Sequence, residues 1–251
     1  MNRRFAFNSE WNYPLRFFLP CLLACVLFLT MFNNISCKRT PTTSNTARFS
    51  DIRIESIEGE ALLGHLFSPQ TTETKPAGLI LLHMEGNESA SWSSFAQLAS
   101  NEGFMSVAYD QPTPWHEAVS HVRAAKEFLI QNGANPSNLF IIGAGAGANV
   151  AITYAQQDPA IQGTVLVSAG VTLQELTIDK IVAEMTARPV LFLASEGDSY
   201  AHSSALALKE TAPVYSELKI FSGSMRGTDL LDAHPSAALG ILRWLAPIVA
   251  D

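Results

Sequence analysis

The 251-residue chain has few cysteines and few charges, and each shortage excludes a class of protein. Its three cysteines, Cys21, Cys25 and Cys37, all lie in the first 37 residues. The remainder therefore has no internal disulfide, no cysteine nucleophile and no thiolate metal site. Charged residues make up 16% of the sequence, the net charge is −7, and no basic stripe is visible, which argues against a nucleic-acid partner. The hydrophobic content of 47% instead predicts a globular domain with a well-filled core.

The N-terminal segment has the layout of an export signal. Three arginines precede an uncharged, mostly apolar run of sixteen residues at 17–32, whereas a membrane-spanning helix needs about 20. Cys37 follows, ahead of a Pro/Thr/Ser-rich stretch, and this arrangement resembles a bacterial lipoprotein signal, in which the lipid-carrying cysteine becomes the first mature residue. Cys25, after Leu-Leu-Ala, is closer to the usual signal by residue type, but cleavage there would leave an apolar N-terminus.

The predicted organisation has three parts. Residues 1–36 are a signal peptide, or alternatively an uncleaved signal anchor, residues 37–50 a polar linker, and residues 51–251 a single domain. Either N-terminal alternative places the domain in the cell envelope, exported and anchored to a membrane outside the cytoplasm.

Strands and helices alternate along the domain. Two short strands at 52–56 and 61–67 indicate a hairpin. Further strands are predicted at 78–83, 104–109, 139–142, 163–167, 189–194 and 217–221, and helices at 93–101, 115–131, 148–157, 175–186, 203–210 and 235–249. This order predicts an α/β fold, with a mostly parallel sheet of about eight strands flanked by helices and no lid domain.

One segment has the frame of a nucleophile elbow but lacks the nucleophile. Residues 139–155 read LFIIGAGAGANVAITYA, so a predicted strand meets a small-residue turn and then a helix. In this context the pattern G-x-S-x-G exposes a catalytic serine at the turn. Gly145 stands at the serine position.

Five segments together resemble the α/β-hydrolase fold over residues 52–249, and most closely the dienelactone-hydrolase-like single-domain esterases. They are LILLHMEGNESASW, GFMSVAYDQP, NPSNLFIIGAGAGANVAITYA, and the pair RPVLFLASEGDSYA and SGSMRGTDLL. The resemblance implies an oxyanion loop after the first of these strands and a nucleophile position at Gly145. It also implies a retained acid at Asp198 and a histidine position occupied by Arg226.

These substitutions remove the expected chemistry. Glycine has no attacking atom, and an arginine guanidinium stays protonated and only donates hydrogen bonds, so it cannot act as the general base. We therefore expect a non-catalytic hydrolase-like lipoprotein, in which Arg226 forms an ion pair with Asp198, with two parallel hydrogen bonds as one geometry. The former pocket would be lined by five residues and would hold a small ligand, acidic if Arg226 faces the cavity, or a protein partner. These residues are His83, Met84, Gly145, Ala146 and Arg226.

Two alternatives remain open from the sequence. A relocated nucleophile, Ser168 or Ser195, would make the protein a weak carboxylic-ester hydrolase, since both serines lie at predicted strand ends where ligands bind in such sheets. The turn also fits the dinucleotide pattern G-x-G-x-x-A, but it comes several strands into the chain and has no acidic residue at the end of the next strand. No cofactor is expected, and no histidine–carboxylate spacing indicates a metal site.

Overall fold

The computed structural model describes residues 48–56, 59–70, 73–185, 188–213 and 215–249, which belong to the compact unit Asn45–Asp251. The predicted signal or anchor and the candidate lipidation site Cys37 lie outside the described residues. Within those ranges, no helix is both long enough and apolar enough to cross a membrane.

Eight strands form one sheet in the spatial order β1-β2-β4-β3-β5-β6-β9-β10. The strands β1 and β2 form an antiparallel hairpin, β2 runs antiparallel to β4, and all pairs from β4 onward are parallel. The ten strands of the described structure are β1 (Arg48–Glu55), β2 (Ala61–Ser68), β3 (Ala77–Leu82), β4 (Met105–Tyr109), β5 (Asn135–Ala144), β6 (Ile161–Val167), β7 (Thr172–Leu173), β8 (Leu176–Thr177), β9 (Val190–Ser195) and β10 (Glu217–Phe221).

Helices cover both faces of the sheet. They are α1 (Ser93–Asn101), α2 (Trp115–Gln131), α3 (Ala146–Gln157), α4 (Asp179–Glu184), α5 (Ser199–Thr211), α6 (Gly227–Ala233) and α7 (Pro235–Leu245), with 3₁₀ turns at Ser89–Trp92 and Ala246–Ile248. Buried residues of α2, α3, α4 and α5 form the core on one face, and those of α1, α6 and α7 form the core on the other.

The apolar runs explain the central strands. Every residue of β3, AGLILL, and of β9, VLFLAS, is buried, as expected for parallel strands covered on both faces. The helix α2 contributes Ala118, Val122 and Ala125, spaced to form one apolar face.

The structure differs from the sequence prediction at several element boundaries, and it adds the helix α6, which the sequence did not predict. β1 begins at Arg48, so the strand includes three residues of the predicted linker. The predicted helix at 175–186 is shorter, because residues 172–177 form the small β7–β8 hairpin. Its turn residues Gln174 and Glu175 have φ angles of 45° and 68°, and two consecutive positive φ angles are typical of a tight hairpin turn. Neither turn residue is the Asn or Gly that would have predicted this turn from the sequence.

Candidate functional site: an elbow filled by the chain's own carboxylate

The elbow predicted at residues 143–147 is formed at the carboxyl end of β5. Gly145 lies between the end of β5 at Ala144 and the start of α3 at Ala146, with φ 53° and ψ −124°. An L-residue in this region costs on the order of 1–3 kcal/mol, whereas glycine has no Cβ to clash. The strand–turn–helix context therefore displays residue 145, and glycine relieves the strain there.

The loop after β3 occupies the space above Gly145. A Cβ built on Gly145 would lie 2.7 Å from the Met84 Cβ and 2.7 Å from Oε2 of Glu85. The Met84 Cβ is fixed by the backbone, so it cannot rotate away as the end of a side chain can. Residue 145 thus has no side chain, and the surrounding atoms leave no room for one.

The Glu85 carboxylate holds the first amide of α3. Its Oε2 accepts a hydrogen bond of 2.8 Å from the backbone N–H of Ala146. The start of a helix favours a negative group because its first amides have no partner within the helix and its dipole is positive at that end. The amide of the residue after the elbow is therefore already satisfied by a side chain of this protein.

Arg226 lies between two carboxylates. Its Nε is 2.9 Å from Oδ2 of Asp198, and its Nη2 donates a long hydrogen bond of 3.5 Å to Oε1 of Glu85. Neither Arg226 Nε nor Asp198 Oδ2 has an aligned hydrogen-bond partner, so their contact is an ion pair by distance. The sequence hypothesis brought Arg226 and Asp198 together, and the structure does so. The two parallel hydrogen bonds considered for this pair are absent, because Nη2 turns towards Glu85.

Asp198 has a second role at the start of α5. Its Oδ1 accepts a hydrogen bond of 3.3 Å from the backbone N–H of Ala201, so it caps the helix that begins at Ser199. A cap of this kind stabilises a helix by about 1 kcal/mol. Asp198 therefore stabilises the start of α5 and also pairs with Arg226.

Met84 fills the rest of the space between the elbow and α6. Gly227, the first residue of α6, also has φ 53°, and a Cβ there would lie 2.5 Å from the Met84 Sδ. Two glycines with the same unusual φ therefore flank one methionine. The predicted pocket residues Met84, Gly145 and Arg226 are brought together, and they fill the site.

No family profile and no curated protein sequence matches this chain. Its fold is similar to solved structures that share little sequence. An α/β-hydrolase from Penicillium sp. sh18 has a TM-score of 0.71 at 15% identity, over 81% of this chain and 100% of that one. A dienelactone hydrolase from Anabaena variabilis has a TM-score of 0.67 at 16% identity, over 82% and 100%. The esterase domain of a Rhodothermus marinus protein has a TM-score of 0.66 at 15% identity, over 78% and 97%.

The chain has the α/β-hydrolase fold. The predicted fold class is thereby confirmed. In a hydrolase with this fold, the amide after the elbow residue helps to bind the oxyanion. In this chain that amide is the N–H of Ala146, which donates to Glu85.

The two candidate replacement serines are buried and engaged with the backbone. Ser168 and Ser195 are both 0% exposed. The Ser168 hydroxyl oxygen accepts a hydrogen bond of 3.0 Å from the Gly227 N–H, and the Ser195 hydroxyl donates one of 2.6 Å to the Met225 carbonyl. Among the described residues, neither hydroxyl has an imidazole as its hydrogen-bond partner. Their arrangement lacks the base that a serine nucleophile needs.

His83 is buried below the loop and holds it in shape. Its Nδ1 is 2.9 Å from the Met84 carbonyl, and its Nε2 accepts a hydrogen bond of 2.9 Å from the Gln111 backbone N–H. Burial lowers the pKa of His83 below its ordinary value, and the contact with the Met84 carbonyl only partly offsets this. With Nε2 as acceptor, His83 is a neutral imidazole whose Nδ1–H donates to the loop that carries Met84 and Glu85.

Glu85 is the site residue that the sequence did not single out. It was visible in the oxyanion segment HMEGNE, but three acidic residues lie between positions 85 and 102 and nothing in the pattern separates them. Only the folded chain brings residue 85 to an amide 61 positions away and to a guanidinium 141 positions away.

Five clefts of the described structure open away from the cluster of Glu85, Asp198 and Arg226. Five surface cavities of about 190–450 Å³ are lined by other residues, and none is lined by Glu85, Gly145 or Arg226. Within the described ranges, no group of three His, Cys, Asp or Glu side chains is arranged to hold a metal ion.

Proposed function

We propose that this protein is a non-catalytic α/β-hydrolase-fold protein of the cell envelope, with a binding or structural role, and that its former active site is a closed ion-pair cluster. The observation that carries this proposal is the occupation of the Ala146 N–H by Glu85 above a glycine that has no room for a side chain. An ester substrate would need that amide for its oxyanion and would need a nucleophile at residue 145.

The charges of the cluster support a structural role. Arg226 carries one positive charge, while Glu85 and Asp198 carry two negative charges, so the guanidinium is already matched. The expected preference for an acidic ligand is therefore weakened, because such a ligand would have to displace Glu85. The side chains of Glu85 and Arg226 are 25% and 35% exposed, and that of Asp198 is 9% exposed, so Asp198 is the most buried member of the cluster.

The loss of activity should be large. A hydrolase stripped of its triad retains only about 10³–10⁴-fold acceleration over water, which comes from its oxyanion hole and substrate binding. Here the oxyanion amide is also occupied. We therefore expect simple aryl esters to be hydrolysed no faster than they are in buffer without protein. The test is a p-nitrophenyl acetate assay on the full chain, combined with labelling by a serine-directed phosphonate, with an active dienelactone hydrolase as the positive control.

The alternative is a weak ester hydrolase that uses Ser168 or Ser195. The observation that favours it is the likeness in fold to an esterase domain and to a dienelactone hydrolase. Esterase activity that disappears in Ser168→Ala or in Ser195→Ala, and persists in the exposed-serine control Ser199→Ala, would establish it. Activity insensitive to both substitutions would point to a contaminant.

The envelope location is proposed from the N-terminal signal. Incorporation of labelled palmitate that is lost in Cys37→Ala and kept in Cys25→Ala would place the lipid on Cys37. Retention of an intact N-terminus with no label would instead favour the uncleaved anchor.

A further inference from the structure

The strand β10 is an edge strand with one unpaired side. It pairs with β9 along one edge, and no strand in the described ranges pairs with its other edge. The unpaired backbone N–H and C=O groups of an edge strand can form hydrogen bonds with an added strand. The sheet thus ends in a row of five residues, ELKIF, that is open to a partner.

The two faces of β10 differ in chemistry. Leu218 and Ile220 pack on the larger core. Glu217, Lys219 and Phe221 face the opposite side, where they line a groove of about 430 Å³ together with Trp244 of α7. The groove is lined mostly by apolar residues and by three charged ones, Glu217, Lys219 and Arg243.

An exposed aromatic residue extends this face by one position. Tyr215 is 70% exposed, the largest exposure among the exposed large hydrophobic residues of the described chain. It lines an adjoining cavity with Glu217 and Trp244, so its side chain lies on the same face as the charged pair.

The charges of β10 are complementary to themselves in one register. Glu217 Oε2 and Lys219 Nζ are 2.8 Å apart, and their side chains are 47% and 56% exposed. A two-fold axis perpendicular to the sheet places the same face of both copies on the same side. Two copies of β10 can then pair antiparallel only if one residue lies on the axis, opposite the same residue of the other copy. Centring on Glu217 or Lys219 sets like charges opposite each other. Centring on Leu218 sets Glu217 of each copy opposite Lys219 of the other, and directly opposed charges of unlike sign stabilise such a pair.

We propose that β10 pairs antiparallel with β10 of a second copy of this chain, in the register centred on Leu218. The two sheets then become one continuous sheet with its two-fold axis at Leu218. In this register Tyr215 of each copy lies opposite Phe221 of the other, so the exposed aromatic ring is buried at the mouth of the groove. Because the axis closes this contact at two copies, both β10 edges are consumed and no further strand is added at β10.

The dimer is independent of the proposed function, because none of its residues belongs to the cluster of Glu85, Asp198 and Arg226. An edge lysine usually discourages strand addition. Here Glu217 lies two residues before the lysine. The pair therefore favours one partner, a second copy of the chain, and one register, the one centred on Leu218.

The test is a charge exchange on the full chain purified in detergent, with mass measured by light scattering after gel filtration. We expect the wild type to be a dimer at tens of micromolar. Glu217→Lys and Lys219→Glu should each weaken dimerisation by about tenfold or more, because each replaces two attractive pairs with repulsive ones. An equimolar mixture of the two variants should dimerise again, because each lysine then faces a glutamate.

The opposite edge strand provides the matched control. Arg53 and Glu55 on β1 form an exposed pair two residues apart, at 2.9 Å, like the pair on β10. Glu55→Lys should leave the dimer unchanged. A monomeric wild type would overturn the proposal, and so would a dimer that is indifferent to both β10 variants or two variants that fail to rescue each other.

Discussion

The Glu85 carboxylate accepts a 2.8 Å hydrogen bond from the N–H of Ala146, the first residue of α3. In a working hydrolase of this fold, that amide is aimed at the negative charge that develops on the substrate. In this protein the same amide donates to a carboxylate of the chain itself. The site is therefore filled by an internal group that has the charge of an oxyanion.

Removing the carboxylate should expose the amide. Glu85→Ala takes away the acceptor of the Ala146 N–H, so we expect faster hydrogen exchange at the start of α3 and a loss of about 1 kcal/mol in unfolding free energy, since the group is only partly buried. Exchange mass spectrometry on the peptide that contains Ala146 measures the first effect. The control is Glu88→Ala, at an exposed residue of the same loop. Equal exchange in both variants would contradict the assigned hydrogen bond.

Restoring the triad residues should not restore activity. Gly145→Ser places a Cβ 2.7 Å from the Met84 Cβ and at a strained φ, so we expect destabilisation of about 1–3 kcal/mol or more and no esterase activity, even together with Arg226→His. Urea denaturation and phosphonate labelling measure the two outcomes.

Gly145→Ala separates steric cost from the effect of the hydroxyl. We expect it to be destabilised as much as Gly145→Ser. Labelling should require room as well as a nucleophile, so it should emerge only when Glu85→Ala and Met84→Gly are added to the serine and histidine substitutions. Ready labelling of the simple double variant would show that the loop is not the obstacle.

The ion pair between Arg226 and Asp198 should be measurable by a double-mutant cycle. Arg226→Met leaves two carboxylates without their shared cation, and Asp198→Asn removes the charge but keeps an N-cap side chain. We expect each variant to lose about 1–2 kcal/mol and a coupling of about 0.5–1.5 kcal/mol, because neighbouring charges are not additive. Chemical denaturation of the four proteins gives the coupling. A coupling near zero would mean that the close approach of Nε and Oδ2 contributes nothing.

The buried His83 predicts a loss of stability on the acid side. Burial lowers its pKa in the folded protein below the ordinary 6.5, so the unfolded chain binds a proton first as the pH falls. Its contribution to stability is therefore complete above about pH 6.5 and declines below it until the folded state also becomes protonated.

Urea denaturation at several pH values between 5 and 8 tests this sign. His83→Gln should be less stable than the wild type at pH 8 and should show a flatter dependence on pH. His116→Gln, at a half-exposed histidine of α2, should keep the dependence of the wild type. A wild-type protein that becomes more stable on acidification through this range would contradict the lowered pKa.

Much of the fold followed from local patterns. The apolar runs at β3 and β9 were strong sequence signals because a parallel sheet buries both faces of its strands. The helical spacing of apolar residues in α2 was an equally clear signal. The β7–β8 hairpin was missed because Gln174 and Glu175 adopt positive φ without being Asn or Gly. Local propensity does not indicate this turn. A tertiary contact lies beside it, in which the Tyr200 hydroxyl donates a hydrogen bond to the Thr172 carbonyl.

Residue identity alone determined what the site lacks. A glycine at position 145 and an arginine at position 226 have no attacking atom and no proton acceptor in any conformation. The folded chain decided what replaces them, because Glu85, Ala146, Asp198 and Arg226 meet only when β3, β5, β6, β9 and β10 assemble in that order in one sheet. The same packing buries Ser168 and Ser195 and leaves β10 at an edge. The functional groups that a side chain carries can be read from the sequence. Contacts between residues more than sixty positions apart in the chain can be known only from the fold.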